Sequence, residues 1–85
     1  MAYALTFTAP GHRSFLKLDR STAARLEPRI AALADDPRPT GCVKLAGQDD
    51  LWRIRIGDYR VVYAVNDARR TVEVTVVAHR RDVYR

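Results

Sequence analysis

Cysteine is nearly absent from this chain of 85 residues, because Cys42 is its only example. A single thiol cannot form an internal disulfide or a cysteine-based metal site, and proteins without disulfides are typical of a reducing compartment. The sequence also lacks a charged and then apolar leader at its N-terminus, and any apolar run of membrane-spanning length. We therefore expect a soluble cytoplasmic protein with no cofactor and no membrane contact.

Lysine is also scarce, whereas arginine is abundant. Lys17 and Lys44 are the only lysines among 15 basic residues, which oppose 10 acidic ones for a formal charge of +5 and a pI near 10.0. The excess is uneven, because residues 52–85 hold eight basic against four acidic residues (+4) and residues 1–51 hold seven against six (+1). This charge favours a polyanionic partner that binds the C-terminal part of the chain.

A stretch in the middle of the chain alternates apolar and basic residues with a period of two. In the segment 52–56 the apolar residues share one face and Arg53 and Arg55 share the other, which predicts a strand. Gly57-Asp58 follows, and glycine at the first central position suits a type II′ hairpin turn. The return strand brings Arg60 to the same face. Three guanidiniums on one rigid face indicate an anion site, because each offers a planar fork of donors that fits a phosphate.

The other segments predict an alternation of strands and helices along the chain. The predicted elements are a strand at 3–8, a helix from about Pro10 to Leu18, a helix from an N-cap at Ser21 to about Ala34, a short strand at 42–45, the hairpin, and a strand at 71–79. Pro28 lies inside the second helix, where proline costs about 3 kcal/mol, so we expect a kink or a restart there.

This order of elements predicts the fold class. One strand, two helices and then three to four strands in 85 residues favour a single α+β domain, residues 1–85. Both helices are expected on one face of a twisted antiparallel sheet. The arginines of the central hairpin then lie on the uncovered face.

The β-branched run from Thr71 to His79 is the clearest strand. Strict alternation assigns one set of its residues to the core: Val72, Val74, Val76 and Ala78. The other set is expected on the open face: Glu73, Thr75, Val77 and His79. Arg80 is then expected to turn toward the core, unless the strand ends or twists before it.

The whole chain resembles the RelE/ParE superfamily of bacterial type II toxins. The resemblance is carried by Leu45-x-Gly47, by the segment 52–63 and by the segment 79–84, His-Arg-Arg-Asp-Val-Tyr. It implies a RelE-like fold and one of two activities. RelE-type toxins are ribosome-dependent endoribonucleases that cut mRNA in the A site, whereas ParE-type toxins poison DNA gyrase. Tyr84 favours the RelE branch, because ParE members usually lack that terminal tyrosine.

The resemblance also implies partners and site residues. The expected partners are a small antitoxin that wraps the toxin, the ribosome with its mRNA, and operator DNA for the toxin–antitoxin complex only. In RelE-like enzymes, basic residues on the two central strands and a basic segment followed by tyrosine form the active face. By the motif, these positions are Arg53, Arg55, Arg60, Arg80 and Tyr84. Lys44 and Arg81 are predicted to bind substrate as well.

Cleavage of RNA by its own 2′-OH requires a base, an acid, and positive charge on the pentavalent transition state. RelE-like enzymes carry lysine on the first central strand, where this chain has Arg53 and Arg55. Arginine stays protonated in proteins and cannot be the base. Some relatives use a glutamate near the short second strand instead, but the corresponding segment of this chain, 41–45, contains no carboxylate. His79, with an ordinary pKa of about 6.5, and Tyr84, with one of about 10, are therefore the candidates for the base.

Two other functions stay open at this point. A ParE-like gyrase inhibitor needs no nuclease chemistry. A basic RNA-binding module catalyses nothing, and Arg53 and Arg55 then serve only to keep an open sheet face soluble. RNA-binding modules normally interleave aromatic and basic residues on the open face, whereas the aromatics of this chain fall mainly in the core-side register. We therefore predict a metal-independent, ribosome-dependent mRNA endoribonuclease.

Overall fold

A mixed five-stranded sheet with helices packed against it forms the fold, and the structure (a computed structural model) describes residues 2–47 and 50–83. The strand order is β1-β5-β4-β3-β2. In chain order the elements are β1 (Ala4–Phe7), α1 (Ala9–Leu16), α2 (Arg20–Ala31), a 3₁₀ turn (Ala32–Ala34), β2 (Val43–Lys44), β3 (Leu51–Ile56), β4 (Tyr59–Asn66), β5 (Thr71–His79) and α3 (Arg80–Val83). The predicted α+β order of elements is confirmed.

The helices begin at side-chain caps. Thr8 caps α1, since its hydroxyl accepts a hydrogen bond of 3.1 Å from the amide of Gly11. Asp19, and not the predicted Ser21, caps α2, because its carboxylate accepts a 3.4 Å bond from the amide of Thr22. That bond lowers the pKa of Asp19.

Within the described ranges, no helix has the length and apolar character needed to cross a membrane.

Pro28 does not restart α2, because the helix continues beyond it to Ala31. Pro28 and Ala24, whose carbonyl loses its amide partner, are both outside the buried core, so water can bind that carbonyl. The opposite side of the helix and the 3₁₀ turn after it bury three residues that are each at most 2% exposed: Leu26, Ile30 and Leu33. Their burial contributes about 2 kcal/mol each, which outweighs the proline penalty of about 3 kcal/mol.

The sheet is mixed, whereas the sequence predicted an antiparallel one. Strands β2 to β5 form antiparallel neighbours, but β1 pairs with β5 in parallel, with Leu5 opposite Val72. No hairpin joins β1 to β5. The connection between them contains the helices and the other strands, and parallel neighbours require a long connection of this kind.

The core lies between the helices and one sheet face. Its sheet-side members are Ile54, Ile56, Val61, Tyr63, Val65, Val72, Val74 and Val77. Tyr63 is fully buried and donates a 2.7 Å hydrogen bond from its hydroxyl to the carbonyl of Pro37. Burial raises the pKa of Tyr63. This bond therefore satisfies a buried polar group and fixes the loop after α2 to the sheet.

A β-bulge in β5 reverses the faces predicted for the end of that strand. Val62 pairs with Val76 and Tyr63 pairs with Val74, so Thr75 has no partner across the strand pair. One extra residue exchanges the two faces of everything that follows it. Val77 is accordingly 3% exposed and Val76 is 40% exposed, the reverse of the prediction.

Local bonds hold the bulge in place. The Thr75 hydroxyl donates to the carbonyl of Val62 at 3.1 Å, and the amide of Val77 donates to the hydroxyl of Ser14 in α1 at 3.0 Å. Thr75 thus bonds across to β4 while α1 binds the shifted strand. Because residues 76 and 77 are both valine, alternation alone could not decide which of them faces the core.

Substitution of the two valines tests this register. We expect Val77→Ala to lower the free energy of unfolding by about 2 kcal/mol, because it leaves a cavity in the core. Val76→Ala removes the same atoms from an exposed position and should change it by less than about 0.5 kcal/mol. Urea unfolding of both variants measures the difference, and a larger loss for Val76→Ala would contradict the shifted register.

Candidate active site

The β3–β4 hairpin has the geometry that its sequence predicts. Gly57 has a φ of +61°, and a type II′ turn requires a positive φ at this position. The turn pairs Ile56 with Tyr59 and places Arg55 directly opposite Arg60. Side chains of paired residues share a face, so the two guanidiniums leave the same side of the sheet.

The three arginines of the hairpin define what we call the arginine face: the side of the sheet that carries Arg53, Arg55 and Arg60. Arg53 pairs with Val62, one row from the Arg55–Arg60 pair. Arg60 is only 8% exposed, Arg53 is half-buried and Arg55 is exposed. The Nε of Arg53 is buried and has no hydrogen-bond partner among residues 2–47 and 50–83. The arrangement therefore offers an oriented donor together with concentrated positive charge.

The electrostatics of this face favour a bound anion. Like charges directly opposite each other destabilise a strand pair, and Arg55 and Arg60 are such a pair. In the described part of the chain, no carboxylate forms an ion pair with Arg53, Arg55 or Arg80. A phosphate between the guanidiniums would replace repulsion with charge-assisted hydrogen bonds. The face is thus chemically suited to hold and neutralise a phosphodiester.

Arg80 begins α3 beside the arginine face. The bulge removes Arg80 from the core-facing register that strict alternation predicts, and β5 ends just before it, at His79. The backbone amide of Arg80 donates a 2.7 Å hydrogen bond to the carbonyl of Asp58 in the hairpin turn. Arg81 is exposed. Tyr84 lies outside the described residues.

His79 is not brought onto the arginine face, contrary to its predicted parity. The bulge turns it to the helix side, where it pairs with Tyr59 and the two rings meet edge to face at 5.1 Å. Its Nδ1 accepts a 3.2 Å bond from the amide of Arg81. His79 also lines a cavity of about 510 Å³ with Lys17 and Asp19. Its ring is therefore separated from the arginines by the sheet.

Lys44 is also placed apart from the arginines. In the two-residue strand β2 it pairs with Trp52, so it shares the face opposite to Arg53. Its neighbour Val43 pairs with Arg53 instead. Lys44 is exposed, so its long side chain is in solvent at the rim of the sheet.

A polar cluster that the sequence did not reveal ties the loop after α2 to the β4–β5 turn. Arg38 donates two hydrogen bonds, of 3.2 and 2.8 Å, to the carboxylate of Asp67, and the hydroxyl of Tyr3 donates a third of 2.6 Å. The guanidinium of Arg38 also lies 5.0 Å from the ring centre of Trp52. These residues come from distant parts of the chain, so no spacing in the sequence indicates their contact.

The Asp67 cluster makes stability depend on pH. Its hydrogen bonds, first from Arg38 and then from Tyr3, hold the pKa of Asp67 below its ordinary value of 3.8. A lowered folded-state pKa gives stability that is complete above the ordinary value and is lost as the pH falls through the folded-state value. We expect Asp67→Asn to be less stable than wild type at pH 7 and equal to it near pH 2.

Urea-unfolding midpoints at the two pH values measure this effect. Asp35→Asn is the control, because Asp35 is exposed and its carboxylate has no hydrogen bond within the described segments. A stability gap for Asp67→Asn that is unchanged at low pH would show that the carboxylate charge does not produce it.

Comparison with known proteins identifies the family of this chain. The family model for the ParE toxin of type II toxin–antitoxin systems (parDE) matches residues 9–84. The chain belongs to this toxin family. This RelE/ParE toxin is 33% identical over 86 residues to Toxin RelG of Mycobacterium tuberculosis, with 100% of this chain and 99% of RelG covered. It is 33% identical over 84 residues to Toxin RelE of the same organism, with 98% and 87% covered.

Solved structures confirm the RelE-like fold. A chain in the crystal structure of the archaeal RelE–RelB complex from Pyrococcus horikoshii OT3 matches with a TM-score of 0.80 and 27% identity. The match covers 94% of this toxin and 97% of that chain. The superfamily predicted from the sequence is therefore confirmed, and the chain is a RelE-type toxin of a type II system.

Proposed function

We propose that this toxin is a ribosome-dependent endoribonuclease that cuts mRNA in the A site. The observation that carries the proposal is the pair of opposed arginines, Arg55 and Arg60, on a rigid hairpin with Arg53 one row away. Charge on a preorganised strand platform requires no rearrangement when the transition state forms. The similarity to the toxins named RelE and RelG supports the same activity.

In the proposed step, the 2′-oxygen of one ribose attacks the adjacent phosphorus. A base takes the proton of the 2′-OH, the bond from phosphorus to the 5′-oxygen breaks, and an acid gives that oxygen a proton. The products are a 2′,3′-cyclic phosphate and a free 5′-OH, so atoms and charge balance without a metal ion. Positive charge on the pentavalent phosphorane is what the arginines supply.

We assign each arginine a role in phosphate binding from its position in the structure. Arg60 is buried and Arg80 lies beside the hairpin turn, so we assign both to the scissile phosphate. Arg53 and Arg55 neutralise developing charge or hold the flanking phosphates. Arg81 is exposed and contacts the substrate further from the cut, whereas Lys44, on the opposite face, reaches the substrate only around the rim of the sheet. Arginine fits these roles because its fork binds phosphate oxygens in pairs.

Tyr84 is our preferred base, ahead of His79, because His79 lies on the helix side of the sheet. A guanidinium next to a tyrosine favours the phenolate and so lowers the tyrosine pKa, and Arg80 and Arg81 precede Tyr84 by only four and three residues in the sequence. We expect Tyr84→Phe to slow cleavage by about 10²-fold, and His79→Gln by less than about fivefold. The assay uses purified protein with programmed ribosomes and, separately, with naked mRNA. Full activity of both variants would remove both residues from the acid–base step.

An antitoxin is the proposed protein partner. The archaeal relative is a RelE–RelB complex, and an open cationic face accepts an acidic or amphipathic segment that folds on binding. We propose that the antitoxin covers the arginine face or displaces the segment after β5, and that the complex binds operator DNA. Added antitoxin should then stop cleavage in the same assay, and undiminished cleavage by the stable complex would contradict this.

Gyrase inhibition is the second candidate function, because the matching family model is that of ParE toxins. The ribosome assay separates the two proposals. Well-folded protein that cuts neither ribosome-bound nor naked mRNA, and that blocks supercoiling by purified gyrase, would favour the ParE-type activity. Cleavage in the A site without an effect on gyrase favours the ribonuclease.

A further inference from the structure

Arg80 belongs to a short helix that has little stability of its own. The helix α3 spans only four residues, Arg80–Val83, and a helix of this length is not stable in water through its own hydrogen bonds. The Arg80 side chain is exposed, so burial does not fix its direction. Contacts made by neighbouring residues must therefore hold the guanidinium beside the arginine face.

Two backbone amides fix the first turn of α3 to the rest of the fold. The amide of Arg80 donates a 2.7 Å hydrogen bond to the carbonyl of Asp58, in the turn of the hairpin that carries the arginines. The next amide, that of Arg81, donates a 3.2 Å bond to Nδ1 of His79. The first bond sets where Arg80 lies, and the second sets the direction in which the chain leaves β5.

Strand β4 holds the ring of His79 in place. His79 pairs with Tyr59, and the two rings meet edge to face with 5.1 Å between their centres and an angle of 88°. Aromatic pairs in this arrangement are stabilised beyond the burial of their surface. Arg60 follows Tyr59 directly, so one strand fixes both the buried arginine and the ring that anchors α3. His79 can thus act on Arg80 through the backbone without touching the substrate.

We propose that His79 is a positioning residue that holds Arg80 toward the scissile phosphate, and that it does so only while its ring is neutral. Nδ1 accepts the Arg81 amide only when it carries no proton, because a protonated imidazole has two donors and no acceptor. Histidine is the side chain whose charge ordinarily changes between pH 5 and 8. Protonation also adds a cation beside Arg80 and Arg81, at the end of a helix where cations are unfavourable.

Charged and titratable side chains lie around the ring on every element packed against it. They come from the end of α1, the cap of α2, the hairpin and α3: Lys17, Asp19, Asp58, Tyr59, Arg80 and Arg81. Among the residues that the structure describes, none of these side chains forms a hydrogen bond or an ion pair with the imidazole. Loss of the bond to the Arg81 amide is therefore the direct effect of protonating the ring.

This inference rests on the proposed ribonuclease function and adds a loss of activity in acid to it. The test compares single-turnover cleavage rates of wild type, His79→Ala and His79→Asn on programmed ribosomes at pH 7.5 and pH 5.5. The carbonyl oxygen of asparagine takes the place of Nδ1, accepts a hydrogen bond and does not titrate.

At pH 7.5 we expect His79→Ala to be about fivefold slower than wild type, the factor that corresponds to the loss of a typical side-chain cap. His79→Asn should stay within about twofold of wild type, because asparagine restores the acceptor. A fivefold loss is far smaller than the roughly 10²-fold loss expected when a general base is removed. Between pH 7.5 and pH 5.5, wild type should slow about fivefold more than His79→Asn. The pH dependence of the general base is common to both proteins and cancels in their ratio.

Hydrogen exchange of the Arg81 amide, measured without ribosomes, reports on the bond itself. At pH 7.5 it should be about fivefold faster in His79→Ala than in wild type or His79→Asn. His12→Ala is the matched control, because His12 is the only other histidine and is exposed on α1. This control should match wild type in rate at both pH values and in the exchange of the Arg81 amide.

Wild-type cleavage and exchange in folded His79→Ala overturn the positioning role and leave the ribonuclease proposal intact. An equal response of wild type and His79→Asn to pH, or a loss in His79→Asn as large as that in His79→Ala, does the same. If thermal melts show that His79→Ala does not fold, the comparison of wild type with His79→Asn decides the matter alone. Absence of cleavage by wild type overturns both proposals.

Discussion

Arg60→Ala is expected to slow mRNA cleavage on programmed ribosomes by about 10²- to 10³-fold, the usual effect of removing one preorganised donor to a developing oxyanion. Arg60 is 8% exposed, and its register opposite Arg55 fixes where it leaves the sheet. A guanidinium held in this way loses little conformational freedom when substrate binds. Single-turnover rates at saturating toxin measure the effect on the chemical step directly.

Two matched variants sharpen this prediction. Arg60→Lys keeps the charge but loses the planar fork, so we expect a rate between those of alanine and wild type. Arg29→Ala removes one positive charge from an exposed position on α2 and should change the rate by less than about twofold. Thermal melts identify any variant that fails to fold. Wild-type rates for folded Arg60→Ala would remove Arg60 from the site.

Gly11→Ala is expected to cause a larger loss of stability than the valine and aspartate substitutions above. A Cβ on Gly11 would overlap the carbonyl oxygen of Val74 and lie 2.9 Å from its carbonyl carbon. The backbone of β5 cannot move aside as a flexible side chain does, so α1 must shift away from the strand. We expect a loss of about 3 kcal/mol and a melting temperature lower by about 12–24 °C.

Gly41→Ala separates this clash from ordinary backbone strain. Gly41 has a φ of +92°, and no atom lies within 4 Å of the position that a Cβ would occupy, so alanine there meets strain without a clash. We expect it to cost about 1 kcal/mol. Differential scanning calorimetry of both variants gives the comparison. Equal losses would mean that the close approach of α1 to β5 relaxes easily.

Local patterns were sufficient to predict the hairpin and the order of elements. The alternation in 52–56 and the Gly57-Asp58 turn are signals that extend over only a few residues. They are sufficient to determine the hairpin, and the hairpin places three arginines on one face. The β-branched run of β5 is likewise a local signal for a strand, and the first and last residues of that strand, Thr71 and His79, were predicted correctly. The arginine part of the candidate site therefore follows from sequence.

Features that depend on distant contacts were not predictable in this way. The parallel pairing of β1 with β5 results from chain topology, and the bulge at Thr75 depends on the hydroxyl of Ser14, which accepts a bond from the Val77 amide 63 residues away. The predicted face of His79 failed because of that one bulge. Lys44 illustrates the same limit, since its face follows from pairing with Trp52 in a strand of only two residues.

The bulge at Thr75 also has a consequence for how the length of this chain can vary. If Thr75 is left out, the other residues of β5 alternate between the two faces of the sheet, with Ala78 opposite Arg60 and His79 opposite Tyr59 at the end of the strand. A deletion of this one residue would leave every later side chain on its present face, whereas a deletion further along the strand would exchange them. Thr75 is thus a point at which a homologous chain can lose or gain one residue without inverting the segment that carries Arg80.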